Sequence, residues 1–282
     1  MPKSRLALLL IPFFFAACSQ NNVTVDDSLQ KYFDSAGVKG TFALFDNGQG
    51  HFTIYNLPRY RDSAYQPSST FDILQTLIAI QIGVLQDDSS YLFDGPMGIK
   101  IDNDLGDSMK PGDVANQFKL RACFQGGIQD AAGFTMLLLR IGNDSLKKWI
   151  DSLHYGNRDM GGDPGLFWVN NHLKISADEQ LGLIKKLYFN QLPFFQRTQK
   201  LVVSLFPSEG NSNYHLYYKT ATGKMENGHT IAWVMGWVEE NKHPYFFVVN
   251  LESADPQKDL RQAGLQIVRS ILAKMGFFNG TK

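Results

Sequence analysis

The sequence has 282 residues, and its 27 lysines and arginines equal its 27 aspartates and glutamates in number. The net charge of zero gives no basic field for nucleic acid, so we expect no nucleic-acid partner. A chain of this length can bury a sizeable core as one large domain or two closely joined ones.

The first 17 residues have the form of a secretory signal peptide. Lys3 and Arg5 give a positive start, and an apolar run of ten residues extends from Leu6 to Phe15. This run is too short for a bilayer, which needs about 20 apolar residues, but it suits the core of a signal peptide. We therefore predict export and removal of residues 1–17.

The segment Phe15-Ala16-Ala17-Cys18 is similar to a bacterial lipobox, in which cleavage precedes the cysteine and a lipid is attached to its sulfur. This predicts a lipid anchor on Cys18, a polar tether over residues 18–30, and a location on the periplasmic face of the outer membrane. The alternative is an ordinary signal peptide that contains a cysteine. If Cys18 is lipidated, Cys123 is the remaining thiol and no internal disulfide can form.

The folded domain is predicted to span residues 31–282 and to begin with β-rich runs at 40–46 and 51–55. Asn47-Gly48-Gln49-Gly50 joins these runs and is typical of a hairpin. The middle of the domain, at about 70–205, is predicted to be mostly helical. Its expected helices are 70–85, 130–140, 144–153, 177–189 and 196–205.

The end of the chain returns to β-rich runs at 214–220, 230–239 and 245–251, and closes with an amphipathic helix over 255–274. The order of strands, helices, strands and helix predicts an α+β fold. We expect a central antiparallel sheet flanked by helices, with a helical lobe inserted at about 70–205. A cleft between sheet and lobe is the natural place for a ligand site.

Ser69-Thr70-Phe71-Asp72 allows two interpretations. Ser69 can cap the apolar helix that follows, and Asp72, three residues later, can complete a capping box. Ser69 can instead be a nucleophile, which needs a base within reach. An aspartate in the first turn of a helix is expected to keep a lowered pKa and to be a poor base near neutral pH.

Eight stretches between about Lys39 and the C-terminal helix form a recognisable set. They are "GTFALFD" (40–46), "PSSTFDILQTLIAIQIGVLQDD" (67–88), "FDG" (93–95), "YGN" (155–157), "FW" (167–168), "LKISADEQLGLIKKLY" (173–188), "AWVMGWVE" (232–239) and "DLRQA" (259–263). In their order and approximate spacing over roughly 240 residues, they resemble a class D (oxacillinase-type) serine β-lactamase, a penicillin-recognising acyltransferase. The resemblance implies the β-lactamase/transpeptidase fold and a β-lactam or peptidoglycan stem peptide as ligand.

The catalytic motifs that the resemblance implies are altered. In the family's Ser-x-x-Lys motif the lysine is carboxylated and acts as the base; here Ser69 matches and Asp72 replaces that lysine. The family's Ser-x-Val motif has no serine in this chain, where Gly127 or Gln129 takes its place. The Lys-Thr-Gly motif is Lys219-Thr220-Ala221, and the added methyl group of the alanine could crowd a ligand that lies along the strand.

Three further side chains have roles only through the resemblance. Arg261 matches the arginine that grips a substrate carboxylate, which suits a guanidinium, although from the residues alone it reads as a surface arginine. Trp168 matches the tryptophan that packs beside the carboxylated lysine, and a plain core aromatic is the alternative. Lys219 is expected in the cleft, and an edge charge that discourages aggregation is the alternative.

No cofactor or metal is expected, because the six histidines show no metal-ligand spacing. Three hypotheses follow from the altered motifs. The first is a lipid-anchored pseudoenzyme that binds a ligand or a protein partner in the cleft without turnover. The second is an active β-lactam hydrolase or acyltransferase that uses Ser69. The third is a purely structural envelope protein.

The lipid anchor can be tested directly. We expect the wild-type protein to fractionate with membranes and to incorporate a labelled fatty acid, and Cys18→Ser to abolish the labelling. Stable anchoring requires more than one acyl chain, since a single chain binds only marginally. A soluble, unlabelled wild-type protein would contradict the lipoprotein prediction.

Overall fold

The computed structural model describes residues 22–92, 116–126, 130–163 and 165–282. The predicted signal peptide and Cys18 lie outside the described residues. In the part of the chain that is described, no helix is both long and apolar enough to cross a bilayer.

The described chain forms nine strands. They are β1 (Val23–Val25), β2 (Lys39–Asp46), β3 (His51–Tyr55), β4 (Ala64–Tyr65), β5 (Ile175–Ser176), β6 (Ser208–Gly210), β7 (Tyr214–Lys224), β8 (Thr230–Glu240) and β9 (His243–Ser253). Seven of them form one sheet in the order β1-β3-β2-β9-β8-β7-β6, and β4 pairs with β5. Within the large sheet β1 is parallel to β3, and the other neighbouring strands are antiparallel.

The α-helices of the described residues lie on both faces of this sheet. They are α1 (Gln30–Ala36), α2 (Leu57–Arg61), α3 (Asp72–Gln81), α4 (Leu120–Phe124), α5 (Asp130–Ile141), α6 (Asn143–Leu153), α7 (Ala177–Tyr188), α8 (Gln196–Leu205) and α9 (Leu260–Lys274). The predicted α+β fold with a central antiparallel sheet flanked by helices is confirmed.

Each face of the sheet buries its own apolar cluster. On one face, α1 and α9 pack against the strands through residues such as Phe33, Phe247 and Val268. On the other face the lobe helices pack through Phe71, Phe134 and other apolar side chains. β8 and β9 are covered on both faces, which explains why their sequences are continuous apolar runs.

Several boundaries differ from the sequence prediction for local reasons. α3 is shorter than 70–85, because residues 68–70 form a 3₁₀ turn and Gly83, with φ of 80°, follows the helix end. α9 begins at Leu260, since the side chain of Asp259 accepts a hydrogen bond from the Gln262 amide at 2.9 Å and caps the helix there.

The predicted tether over residues 18–30 is wrong in its second half. Val23–Val25 pair with β3 in the main sheet, and Leu29 is completely buried in the core of the α9 face. The folded domain therefore begins by Val23 and not at residue 31. The sequence suggested a tether because the polar residues at 19–22 continue into Asp26, Asp27 and Ser28.

Candidate active site

A tight 3₁₀ turn of residues 68–70 leads into α3 and packs against β7. Ser68 has φ of 49°, in the left-handed region, which is uncommon for a residue other than glycine. Its amide donates to the carbonyl of Trp168 at 3.1 Å. Ser69, at the middle of the turn, is partly exposed, whereas Ser68 and Thr70 are buried. The fold therefore presents the Ser69 side chain at the start of a buried helix.

The capping-box interpretation of Ser69 and Asp72 is wrong. The first turn of α3 has no side-chain cap, and its N-cap position is Phe71. A genuine capping box occurs instead at α7, where Ser176 Oγ accepts from the Glu179 amide at 3.2 Å and Glu179 Oε2 accepts from the Ser176 amide at 2.8 Å. The Asp72 side chain is buried and bonds Lys219 of β7.

Asp72 forms a buried ion pair with Lys219 of β7. Lys219 Nζ donates to Asp72 Oδ2 at 2.9 Å, and the two side chains are 3% and 1% exposed. The pair joins the first residue of α3 to the middle of an 11-residue strand. Lys219 therefore lies beside the start of α3 and is buried, not on a solvent-exposed edge.

The burial of this pair changes the acidity of Asp72. Loss of water around the carboxylate raises the pKa of Asp72 to about 7, even though the positive charge and hydrogen bond of Lys219 act in the opposite direction. The expectation that Asp72 would have a lowered pKa at a helix start is therefore wrong. Desolvation outweighs both the ion pair and the helix dipole at a site with no access to solvent.

The end of α4 completes the surroundings of Lys219. The carbonyl oxygen of Phe124 accepts from Lys219 Nζ at 2.6 Å. The ring of Phe124 has its centroid 4.5 Å from the same nitrogen, and that of Phe134 lies at 5.7 Å. Gly127 and Gln129, which were predicted to replace the serine of Ser-x-Val, lie outside the described residues. The described end of that region thus contributes a backbone carbonyl and aromatic rings.

The other two residues of the Lys-Thr-Gly-like motif point to opposite faces of β7, because successive side chains alternate along a strand. Ala221 shares the face of Lys219 and is buried, opposite Trp233 of β8. Its methyl group therefore belongs to the core on the lobe side. Thr220 is partly exposed and lies on the face that α9 covers.

Arg261 is in the first turn of α9 and is exposed. Its guanidinium lies against Gly126, so closely that a β-carbon added to the glycine would stand 2.8 Å from Nη2. Gly126 follows Phe124 by two residues, so the carbonyl that binds Lys219 and the backbone that contacts Arg261 belong to the same short segment. The two cations assigned by resemblance are thus brought together around the end of α4.

Trp168 is buried directly behind the 3₁₀ turn. Its ring is stacked on Phe71 with centroids 6.4 Å apart, and its backbone carbonyl holds the Ser68 amide. The indole Nε1 is buried and has no hydrogen-bond partner among the residues that the structure describes. Trp168 therefore adjoins the start of α3 as a buried core aromatic, and its N–H group does not bond Asp72.

Sequence reasoning missed several polar groups at this site. Gln66, Ser68 and Gln75 are buried, and each has at least one side-chain atom without a protein partner within the described ranges. A β-carbon on Gly223 of β7 would stand 2.3 Å from Ser68 Oγ and from Gln66 Nε2, so these side chains would have to move to admit it. The sequence signal was the glycine two residues after Ala221, on the same face of the strand.

The described residues contain no group of three or more histidine, cysteine or acidic side chains that could hold a metal ion. Cys123 is buried beside this site, where its thiol donates to the Gln117 carbonyl at 3.1 Å. Burial raises the pKa of Cys123 to about 12, and the negative charges of Asp130 and Asp72 add to the effect. The thiol is therefore not a candidate nucleophile near neutral pH.

Residues 39–275 match the family model described as "Penicillin binding protein transpeptidase domain". The chain belongs to this family. The β-lactamase OXA-20 of Pseudomonas aeruginosa is 31% identical over 251 residues, which are 86% of this chain and 85% of that protein. These findings confirm the resemblance to class D β-lactamases that the sequence motifs suggested.

Two solved structures extend the comparison to the fold of this transpeptidase-family chain. The class D β-lactamase YbXI from Nostoc has a TM-score of 0.74 at 27% identity, with 89% of this chain and 99% of that chain covered. The C-terminal domain of the Bacillus licheniformis BlaR penicillin-receptor has a TM-score of 0.75 at 27% identity, with coverage of 91% and 98%. The family fold therefore occurs both in β-lactamases and in a penicillin receptor.

A double-mutant cycle can measure the interaction between Asp72 and Lys219. We compare the unfolding free energies of wild type, Asp72→Asn, Lys219→Met and the double variant at about pH 8.5, where Asp72 is mostly ionised. We expect a coupling free energy of about 0.5–3 kcal/mol, the usual range for residues in contact. The coupling should shrink at about pH 5, since Asp72 is then protonated. Equal and negligible coupling at both pH values would contradict the buried ion pair.

The pKa of Asp72 also predicts how stability depends on pH. The folded state keeps the Asp72 proton up to about pH 7, whereas the unfolded chain releases it near 3.8, so the stabilising contribution is complete below pH 3.8 and is lost as pH rises to about 7. Over this range the stability of wild type should fall relative to Asp72→Asn, by up to about 1.4 kcal/mol per pH unit. Urea unfolding of both proteins measures this, and a constant difference would contradict it.

Proposed function

We propose that this protein is a cell-envelope lipoprotein that binds a β-lactam-like or peptidoglycan-peptide ligand in the Ser69 cleft without hydrolysing it. The proposal has three parts: a retained ligand site, the loss of turnover and an anchor at Cys18. A protein partner in the cleft is the alternative occupant.

The buried ion pair of Asp72 and Lys219 is the observation that carries the proposal. Turnover of an acyl-enzyme needs a base that activates first the serine and then water. The position that holds a lysine base in the family holds Asp72 here, and Lys219 Nζ is bonded to Asp72 Oδ2 at 2.9 Å. Catalytic groups act as a unit, so this replacement alone is expected to reduce turnover by orders of magnitude.

The relatives support a binding role as well as an enzymatic one. One similar solved structure is named a penicillin receptor, and it covers nearly the whole of this chain. A receptor needs a cleft that recognises the ligand, and it does not need rapid release of a hydrolysed product. The chain keeps Ser69 at the start of α3 and Arg261 beside the end of α4, which suits recognition of an acyl ligand with an anionic group.

The location of the protein rests on its first 18 residues, where a signal peptide precedes the lipobox-like Phe15-Ala16-Ala17-Cys18. The described domain begins by Val23, so a chain anchored at Cys18 would have about five residues between lipid and domain. An extended chain spans at most about 3.6 Å per residue, so such a link would hold the domain close to the membrane surface. The anchor is expected to face the periplasm from the outer membrane.

A serine hydrolase remains the second candidate, and a specific observation favours it. Asp72 Oδ1 is buried and has no hydrogen-bond partner among the described residues, so it can accept a proton. Its raised pKa, about 7, is suited to a general base near neutral pH. In this alternative Asp72 Oδ1 would accept the Ser69 proton while Lys219 holds Oδ2.

A chromogenic cephalosporin separates the two candidates. We expect the purified mature protein to hydrolyse it no faster than Ser69→Ala, because the base of the family motif has been replaced. The measurement is the initial rate at neutral pH together with mass spectrometry of the intact protein. Asp72→Asn is the matched control, since it keeps the shape of the side chain but cannot act as a base.

A burst or steady rate that disappears in both Ser69→Ala and Asp72→Asn would overturn the non-hydrolytic proposal and establish the second candidate. Binding without turnover should instead raise the thermal unfolding temperature in the presence of benzylpenicillin or a stem peptide, through preferential binding to the folded state. A purely structural protein would show neither effect.

A further inference from the structure

We propose that Lys219 is a structural junction between β7, α3 and α4 in this chain and takes no part in binding the ligand, so that Arg261 recognises the ligand's anionic group without it. The inference rests on the proposed function, because it assigns the ligand contacts of the same cleft. In the Lys-Thr-Gly motif of the family, the lysine that corresponds to Lys219 is expected to face the ligand.

The hydrogen-bonding capacity of Lys219 is used within the protein. An ammonium group has three N–H donors and no acceptor. One N–H of Lys219 is directed to Asp72 Oδ2 at 2.9 Å and another to the Phe124 carbonyl at 2.6 Å. The nitrogen also lies over the Phe124 ring, 4.5 Å from its centroid. A ligand anion would therefore have to displace an existing short contact.

Burial leads to the same conclusion. Only 3% of the Lys219 side chain is exposed, and the rings of Phe124 and Phe134 lie beside the nitrogen. By contrast Lys224, at the end of the same strand, is exposed. A cation that must meet an external carboxylate needs a path to solvent, and Lys219 has lost most of that path to α4 and α5.

The two cations of the site differ in whether an acidic side chain pairs with them. Lys219 is neutralised by Asp72, whose oxygen is in direct contact with it. Arg261 is exposed and forms no ion pair with any acidic residue that the structure describes. An exposed guanidinium that is free of acidic partners is well suited to bind a carboxylate through two parallel hydrogen bonds.

The junction also positions the surface on which Arg261 rests. Lys219 holds the carbonyl of Phe124, and Gly126, two residues further, contacts the Arg261 guanidinium. Through this short segment, β7 fixes the end of α4 beside α9. This segment has other supports as well: the Gly126 amide donates to the Cys123 carbonyl at 3.0 Å, and Gln125 Nε2 donates to the Leu205 carbonyl at 3.1 Å. The contact between Gly126 and Arg261 should therefore persist when Lys219 is replaced.

The test compares benzylpenicillin with its methyl ester, which lacks the carboxylate charge, by calorimetric titration at about pH 8. The proteins are wild type, the double variant Asp72→Asn/Lys219→Met, and Arg261→Gln. The double variant removes both charges of the pair together and leaves no unpaired buried ion, so the fold should persist. Circular dichroism and thermal unfolding verify the fold of each variant.

We expect wild type and the double variant to prefer the acid over the ester by the same factor, about tenfold or more, as a charge-assisted hydrogen bond provides. Arg261→Gln should reduce this preference to near one. A folded double variant that no longer binds benzylpenicillin more tightly than its methyl ester would overturn the proposal, because Lys219 would then be shown to bind the ligand carboxylate.

A second measurement needs no ligand and keeps the two proposals distinguishable. Reductive methylation of the folded protein, followed by peptide mass spectrometry, should modify Lys224 readily and Lys219 at least about tenfold more slowly, because an amine held in a salt bridge and shielded from water is rarely available for reaction. Equal labelling of the two lysines would overturn the proposal that Lys219 is a structural junction.

Failure of every protein to bind benzylpenicillin would count against the proposed β-lactam ligand, while the labelling result would still decide the role of Lys219.

Discussion

A carboxylate and an ammonium group, 2.9 Å apart and almost inaccessible to water, hold the start of α3 against the middle of β7. Removal of water from two charges costs several kcal/mol per ion, and their attraction only partly offsets it. The raised pKa of Asp72 reflects that imbalance. The Phe124 carbonyl accepts a second hydrogen bond from the same ammonium group, and the lobe is thereby tied to the sheet beside the start of α3.

This ion pair bears on the chemistry that is possible beside Ser69. A neutral lysine next to Ser69 could act as a base, whereas here the residue three positions after Ser69 is an acid that already bonds a cation. Above about pH 7, where Asp72 is ionised, the pair is uncharged as a whole, so the field near Ser69 depends on the groups that remain uncompensated. Arg261 is such a group, and it lies beside the same segment of α4 that binds Lys219.

Local patterns in the sequence were sufficient for most of the fold and insufficient for the site. The β7–β9 runs and the lobe helices were predicted nearly at their observed positions, because apolar periodicity determines which face each element buries. The Ser69–Asp72 capping box was wrong, since the same spacing of a hydroxyl and an acid can serve a helix start or a distant partner. Lys219 is 147 residues from Asp72, and no local pattern encodes that contact.

The backbone conformation of the turn before α3 is relevant to whether the site binds a ligand. Ser68 keeps φ of 49° although it is neither glycine nor exposed, and such strain costs of order 1–3 kcal/mol. A β-carbon on Gly223, opposite it, would stand 2.3 Å from Ser68 Oγ, so the Ser68 side chain would have to move. A capped helix start would hold α3 without either feature, as Ser176 and Glu179 do for α7. The turn keeps the Ser69 side chain partly exposed at the start of α3 while its neighbours Ser68 and Thr70 are buried, which is the arrangement that the proposed ligand-binding role requires.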